Sequence, residues 1–296
     1  MNGLKYYIVD VFAEAKYTGN QLAVFVCARA LTQTQMQAIA REINYSETTF
    51  IISEQAVSGG YDVKIFTPAQ EIPFAGHPTL GTAYILQREV IKQSVERIIL
   101  NLQVGQIPVD IDSSNSEPYL WMLQLAPVFS EKIFSVEIIA SVLGIEISEI
   151  DTQYPIQAVS TGLPFIIVPL KTLASLKRAK VNQDKYYKLI RDIEAKSILI
   201  FCPETYHPEN HLNVRVFCDF LGVPEDPATG SANGCLAGYL VEHSYFGKNQ
   251  IDARVEQGYE INRPSLILLK AKKLPNKTIE VHVGGKVIMV AKGEFI

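Results

Sequence analysis

The sequence predicts an α+β protein of two related halves, each a curved, mostly antiparallel sheet around one central helix. Three observations predict it: short motifs recur in the same order about half a chain apart, strand-like segments outnumber helical ones, and each half carries one strongly apolar helical run. The 296 residues suffice for two domains that each bury a core. With 48% hydrophobic and 20% charged residues, the chain is too apolar to stay disordered.

The first recurring motif is a Thr-Gly turn before an apolar strand: Thr18-Gly19-Asn20-Gln21 before LAVFV, and Thr161-Gly162-Leu163-Pro164 before FIIVP. Glycine supplies the positive φ such a turn often needs. The second is a helical stretch, MQAIAREI at 36 to 43 and YYKLIRDI at 186 to 193, with apolar residues three and four apart. Each is followed by a short apolar strand. The third is β-alternating, YDVKIFT at 61 to 67 and NVRVFCD at 213 to 219. The fourth aligns His77-Pro78-Thr79-Leu80-Gly81-Thr82-Ala83 with Asp226-Pro227-Ala228-Thr229-Gly230-Ser231-Ala232, 149 residues later. Both run into apolar helical sequence, and proline suits the first turn of a helix, where its missing N–H is no loss. Strand-like segments surround these helices at 4–12, 21–27, 61–67, 98–112, 119–128, 158–169, 213–219, 251–256, 265–272 and 278–295. Gly284-Gly285 reads as a hairpin turn in the last of them.

Composition narrows the function. The net charge of −4 is spread along the chain, with no basic stripe, which argues against a nucleic-acid partner. No run of eighteen apolar residues occurs and the first twenty residues lack a signal-peptide pattern, so a cytoplasmic protein with no membrane association is expected. Cys27, Cys202, Cys218 and Cys235 have no paired spacing and read as reduced thiols in apolar stretches.

The two helix starts carry the chemistry. A helix N-terminus offers unpaired N–H groups and about half a positive charge, enough to hold a carboxylate or stabilise an enolate. Gly76, Gly81, Gly230, Ser231 and Ala232 let a ligand approach the backbone. His77 and Asp226 stand beside those starts as donor and acceptor, although Asp226 before Pro227 also reads as a plain N-cap. Glu47 lies in a polar loop between a helix and a strand, where a glutamate is ordinarily just solvated. The second half, at Glu194-Ala195-Lys196-Ser197, offers no clear match for it. One base suffices to move a proton and return it.

The segments TGNQLAVF, NYSETTFI, FAGHPTLGTA, EDPATGSA and the ending VGGKVIMVAKGEF together resemble the phenazine-biosynthesis, PhzF-like isomerase family. The resemblance implies a diaminopimelate-epimerase-like fold of two hot-dog-like halves with a cleft between them. It also implies that the last strand returns to the first half, giving halves 1–117 plus 286–296 and 118–285. By position it makes Glu47 the acid/base, and His77, Asp226 and Ser231 the polar residues of the site. Glu47, His77 and Asp226 are therefore the candidate catalytic residues, and Asn20, Gly76, Gly230 and Ser231 the candidate substrate-binding ones. The implied activity moves a proton within a small carboxylate-bearing acid, with no cofactor, in a homodimer. Gln21 stands where many relatives have proline, which makes the turn less rigid.

Rival readings are open to test. Cys202, His207 and His211 could suggest a metal, but Pro208 and Asn210 argue for a loop rather than one helix face, and no metal site is expected. No strand is followed by G-x-G-x-x-G, so no nucleotide is implied. The protein could bind a small acid without turning it over, or racemise an amino-acid-like substrate. Related epimerases use a cysteine at each helix start, and this chain has none at either place.

Overall fold

The computed structural model describes residues 3–114 and 117–296. Two compact units divide the chain: Met1–Leu123 with Gly284–Ile296, and Gln124–Val283.

The first unit runs β1 (Leu4–Val11), β2 (Asn20–Val26), α1 (Gln33–Ile43), β3 (Thr48–Ile51), β4 (Tyr61–Phe66), the short β5 (Glu71–Ile72), α2 (Gly76–Ile85), β6 (Arg97–Leu102), β7 (Gly105–Asp112) and β8 (Tyr119–Leu123). The second runs β9 (Val128–Ile133), α3 (Val136–Leu143), β10 (Gln157–Ser160), β11 (Pro164–Pro169), α4 (Leu173–Arg178), α5 (Gln183–Ile190), β12 (Ser197–Cys202), β13 (Leu212–Cys218), β14 (Val223–Asp226), α6 (Gly230–Glu242), β15 (Gln250–Gln257), β16 (Ser265–Lys273) and β17 (Ile279–Gly285). The last strand, β18 (Val287–Phe295), belongs to the first unit and pairs antiparallel with β1, Leu4 opposite Phe295.

Strand pairing shows the duplication directly. In the first unit β1–β2, β3–β4 and β6–β7 are antiparallel, while β2–β3 and β4–β6 are parallel. In the second, β10–β11, β12–β13 and β15–β16 are antiparallel, while β11–β12 and β13–β15 are parallel. The order is the same in both. A parallel pair needs a crossover, and helices supply it. In the first unit these are α1 and then α2; in the second they are α4 with α5, and then α6.

Helix α1 is an ordinary amphipathic crossover. Thr32 and Gln35 close a capping box at its start, Asn44 ends it in the left-handed conformation, and it buries Met36 and Ala40. Helix α2 differs, because all ten of its residues are buried. Such a helix has no solvent face to keep polar, which is why its sequence is apolar all round. Helix α6 is buried in the same way from Ala232 to Val241.

Several expected strands divide. Segment 98–112 turns before Gly105 (φ +118°), and segment 158–169 turns at Gly162 (φ +128°), each in backbone that β-carbon residues rarely adopt. Residues 119–123 pair with β7 and so lie with the first unit, not with the half that starts at 118. Gly284 and Gly285 do not form a positive-φ turn; they end β17, and Gly284 is bare because a Cβ there would meet the Trp121 ring at 2.5 Å.

Gly81 is where α2 comes closest to the sheet. A Cβ at this position would lie 2.6 Å from a Leu22 methyl and 3.0 Å from a Val11 methyl. Gly81→Ala should therefore destabilise by about 1–3 kcal/mol from overpacking, more than the gain of about 1 kcal/mol in helix propensity. Urea unfolding of the variant measures this.

Candidate active site

Glu47 sits immediately before β3, and Thr49 of that strand accepts a hydrogen bond from the Thr82 hydroxyl of α2 at 2.8 Å. Both threonines are fully buried, so the bond ties the Glu47 strand to the helix that carries His77. His77 Nε2 then lies 3.5 Å from Glu47 Oε2, with the Glu47 side chain 18% exposed and that of His77 7%. Two residues thirty positions apart are thus brought into contact beside one helix start.

The imidazole of His77 is neutral. Burial pushes its pKa down to about 3, and a hydrogen bond to the backbone of Gln21 opposes that shift without reversing it. The contact with Glu47 is accordingly not an ion pair. Because Nε2 makes no hydrogen bond among the described residues, the Gln21 bond falls to Nδ1–H, and the Nε2 lone pair faces the Glu47 carboxyl.

A pKa of about 3 against 6.5 in the unfolded chain has a consequence for stability. The unfolded ring binds a proton that the folded one refuses, so stability is fully present above pH 6.5 and is lost as pH falls toward 3. From about pH 7 to about pH 4.5 the loss should be about 2–3 kcal/mol. His77→Gln should flatten this part of the curve, as read from urea midpoints at the two pH values.

Helix capping sets α2 and α6 apart. Thr32, Ser135, Thr172 and Asn182 cap α1, α3, α4 and α5 through their side chains. Among the described residues α2 starts on Ala75 and α6 on Thr229, and neither makes a side-chain cap bond. The first N–H groups of α2 and of α6 thus receive no cap bond from the Ala75 or Thr229 side chain.

Asp226 is not an N-cap. It ends β14, opposite Val216 of β13, and lies four positions before α6 begins. Its Oδ2 accepts the Thr229 hydroxyl. His77, by contrast, is the second residue of α2. The aligned motifs therefore do not place His77 and Asp226 at equivalent points, and Pro227 precedes its helix instead of entering it. Asn20 is buried at the first position of β2, opposite Val11. Gly19 before it has φ +68°, and a Cβ there would meet Ala13 at 2.9 Å. Ser231 is the second residue of α6 and half-buried.

The counterpart of Glu47, the residue just before β12, is Lys196, whose ammonium donates to the Ile190 carbonyl at 2.6 Å at the end of α5. A carboxylate at this position is thus present in the first unit and replaced by an ammonium in the second. Nothing in the sequence singled out Thr229, Asn233 or Gln257, which join at the start of α6; their partners lie up to 31 residues away, beyond the reach of any local pattern.

Cys202, His207 and His211 have structural partners. Cys202 donates to the Glu204 carbonyl, the His211 ring accepts from Arg254 N–H at 3.0 Å, and His207 lies beside the Tyr259 ring. Among the described residues no three His, Cys, Asp or Glu side chains are arranged to hold a metal ion. Cys235 lies within α6, where burial pushes its thiol up to about 11, and burial raises Cys202 to about 12. Neither is a thiolate near neutral pH. Among the described residues no helix is long and apolar enough to cross a membrane.

The family model described as phenazine biosynthesis-like protein matches residues 9–293. A trans-2,3-dihydro-3-hydroxyanthranilate isomerase from Pseudomonas chlororaphis is 34% identical, over 98% of this chain and 99% of its own. An uncharacterized isomerase from Clostridium acetobutylicum is 32% identical, over 98% and 97%. The crystal structure of a PhzF-family phenazine biosynthesis protein from Bacillus anthracis superposes with a TM-score of 0.92 at 28% identity, covering all of both chains. A match over nearly the whole length, in sequence and in fold, means that the chain belongs to the phenazine biosynthesis-like family and is an isomerase.

Proposed function

We propose that the protein isomerises a small carboxylate-bearing acid by moving one proton between carbons, without a cofactor, and that Glu47 carries the proton. The observation that supports this most is the Glu47–His77 contact of 3.5 Å at the uncapped start of the buried helix α2. A carboxylate there can take a proton from a carbon made acidic by conjugation to a carboxyl group. The electron pair left behind spreads into the conjugated system, and the nearby N–H groups of Gly76 and His77 stabilise the charge. Glu47, now a carboxylic acid, returns the proton at another carbon, so atoms and charge balance. Neutral His77 accepts from the protonated form of Glu47 through Nε2 and supports it between the two steps.

In the second unit, Asp226 is assigned to the catalytic set with Glu47 and His77, and Gly230 and Ser231 to substrate binding, as are Asn20 and Gly76 in the first. The uncapped start of α6 supports that assignment for an anionic group. A two-thiol racemase is disfavoured, because Cys235 is buried and protonated inside α6 and the starts of both helices lack cysteine. A homodimer belongs to the same proposal; sedimentation equilibrium should give twice the 33.0 kDa chain mass.

Trans-2,3-dihydro-3-hydroxyanthranilate is the first substrate to try, followed by other small unsaturated acids. Chelator-treated, gel-filtered protein should isomerise at least one of them at an undiminished rate. Binding of these acids with no turnover would make the protein a binding module instead.

A further inference from the structure

Gln257, the last residue of β15, is fully buried and uses every hydrogen-bonding position of its amide at the start of α6. Its Nε2 donates to the Asp226 carbonyl at 2.8 Å and to the Thr229 hydroxyl oxygen at 3.0 Å. Its Oε1 accepts from Thr229 N–H at 3.2 Å and from Asn233 Nδ2 at 2.8 Å. Turning the amide over would set its NH2 against two donors, so one orientation is enforced. Asn233 agrees, since its Nδ2 also donates to the Thr229 carbonyl at 3.0 Å and needs both acceptors.

That orientation determines a second one. The Thr229 hydroxyl has one proton, and its oxygen already accepts from Gln257. The proton is left to point away from the amide, and the carboxylate oxygen Oδ2 of Asp226 takes it. The chain Gln257 to Thr229 to Asp226 therefore has one direction throughout. The Thr229 side chain makes no cap bond to its own helix.

We propose that Gln257 is a positioning residue for Asp226, acting through Thr229 to hold the Asp226 carboxylate as a hydrogen-bond acceptor at the open start of α6. The inference rests on the reading of Asp226 as a substrate-contacting group. The backbone supports the placement: Gly258 (φ +80°) follows directly, a Cβ on it would meet the Pro227 carbonyl at 2.5 Å, and the Ser265 hydroxyl donates to that same carbonyl at 3.0 Å. The Pro227–Ala228 peptide is thus packed against Gly258 and hydrogen-bonded by Ser265, next to the Asp226 carbonyl that Gln257 holds.

Thr229→Val tests the link while leaving three of the four amide bonds of Gln257, those to the Asp226 carbonyl, Thr229 N–H and Asn233. Turnover should fall roughly 10- to 100-fold in kcat with KM changed far less. Thr229→Ser, which keeps the hydroxyl, should restore most of it, and Gln257→Leu with Thr229→Val should be no worse than the poorer single variant. Should Gln257→Leu fail to fold, the threonine pair decides alone. A crystal structure of Thr229→Val should show the Asp226 carboxylate turned from its native position on an unchanged β14. Native-like kcat in Thr229→Val, or an Asp226 carboxylate that has not moved, would overturn the proposal. If the native protein turns over no acid, the isomerase reading fails, and the position of Asp226 in the variant still decides this one.

Discussion

Glu47→Gln is expected to lower the isomerisation rate by about 10³-fold, with substrate affinity little changed. Glutamine has the same shape, and its NH2 can donate to the Nε2 lone pair of neutral His77, so the 3.5 Å contact survives without a base. The loss is then one of chemistry, not of folding. Glu47→Asp separates position from basicity: it keeps the carboxylate but withdraws it by one methylene, and a displacement of that size costs about 10²-fold. Steady-state kinetics of the two variants should show kcat falling and KM holding. A rise in KM alone, at native kcat, would assign Glu47 to substrate binding.

The second large effect concerns the strand that ends at Asp226. Arg215 of β13 and Glu225 of β14 form a buried bidentate pair, Nε to Oε1 at 2.9 Å and Nη2 to Oε2 at 2.7 Å. The remaining nitrogen, Nη1, donates to the carbonyls of Leu176 at 2.9 Å and Ala179 at 2.8 Å. Arg215→Met strands Glu225 and both carbonyls in a site where the Arg and Glu side chains are 9% and 10% exposed. The expected loss is about 3–5 kcal/mol, because an unpartnered buried charge costs more than the pair contributes. Replacing both, Arg215→Met with Glu225→Leu, should recover a large part of it. Urea unfolding checks the energies. Loss of turnover in the single variant, before it unfolds, would show how far Asp226 depends on β14 being held.

What was legible in the sequence follows from how local each signal is. The apolar runs of α2 and α6 announce buried helices, and the recurring motifs announce a duplication that strand pairing repeats pair for pair. Register was not legible. The string polar-Pro-x-x-Gly-small-Ala matches in both halves, yet α2 begins before His77 and α6 begins after Thr229. A helix start is set by backbone geometry: Ala75 is extended just ahead of His77, whereas Asp226 is still in a strand pair with Val216. Glu47 had no local signal at all, being one loop carboxylate among many, and the family resemblance alone brought it forward. Its contact with His77 needed the parallel pairing of β2 with β3 and the Thr49–Thr82 bond. Gln257 was invisible for the same reason, since a buried amide is recognised by its partners and not by its neighbours in the chain.

The central claim is that Glu47 moves the proton. With a turned-over acid dissolved in D2O, the native protein should place solvent deuterium at the carbon that receives the proton, as read by NMR. Glu47→Gln should place none there over the same time, although it binds the acid. Equal deuterium incorporation by the two proteins would contradict the account.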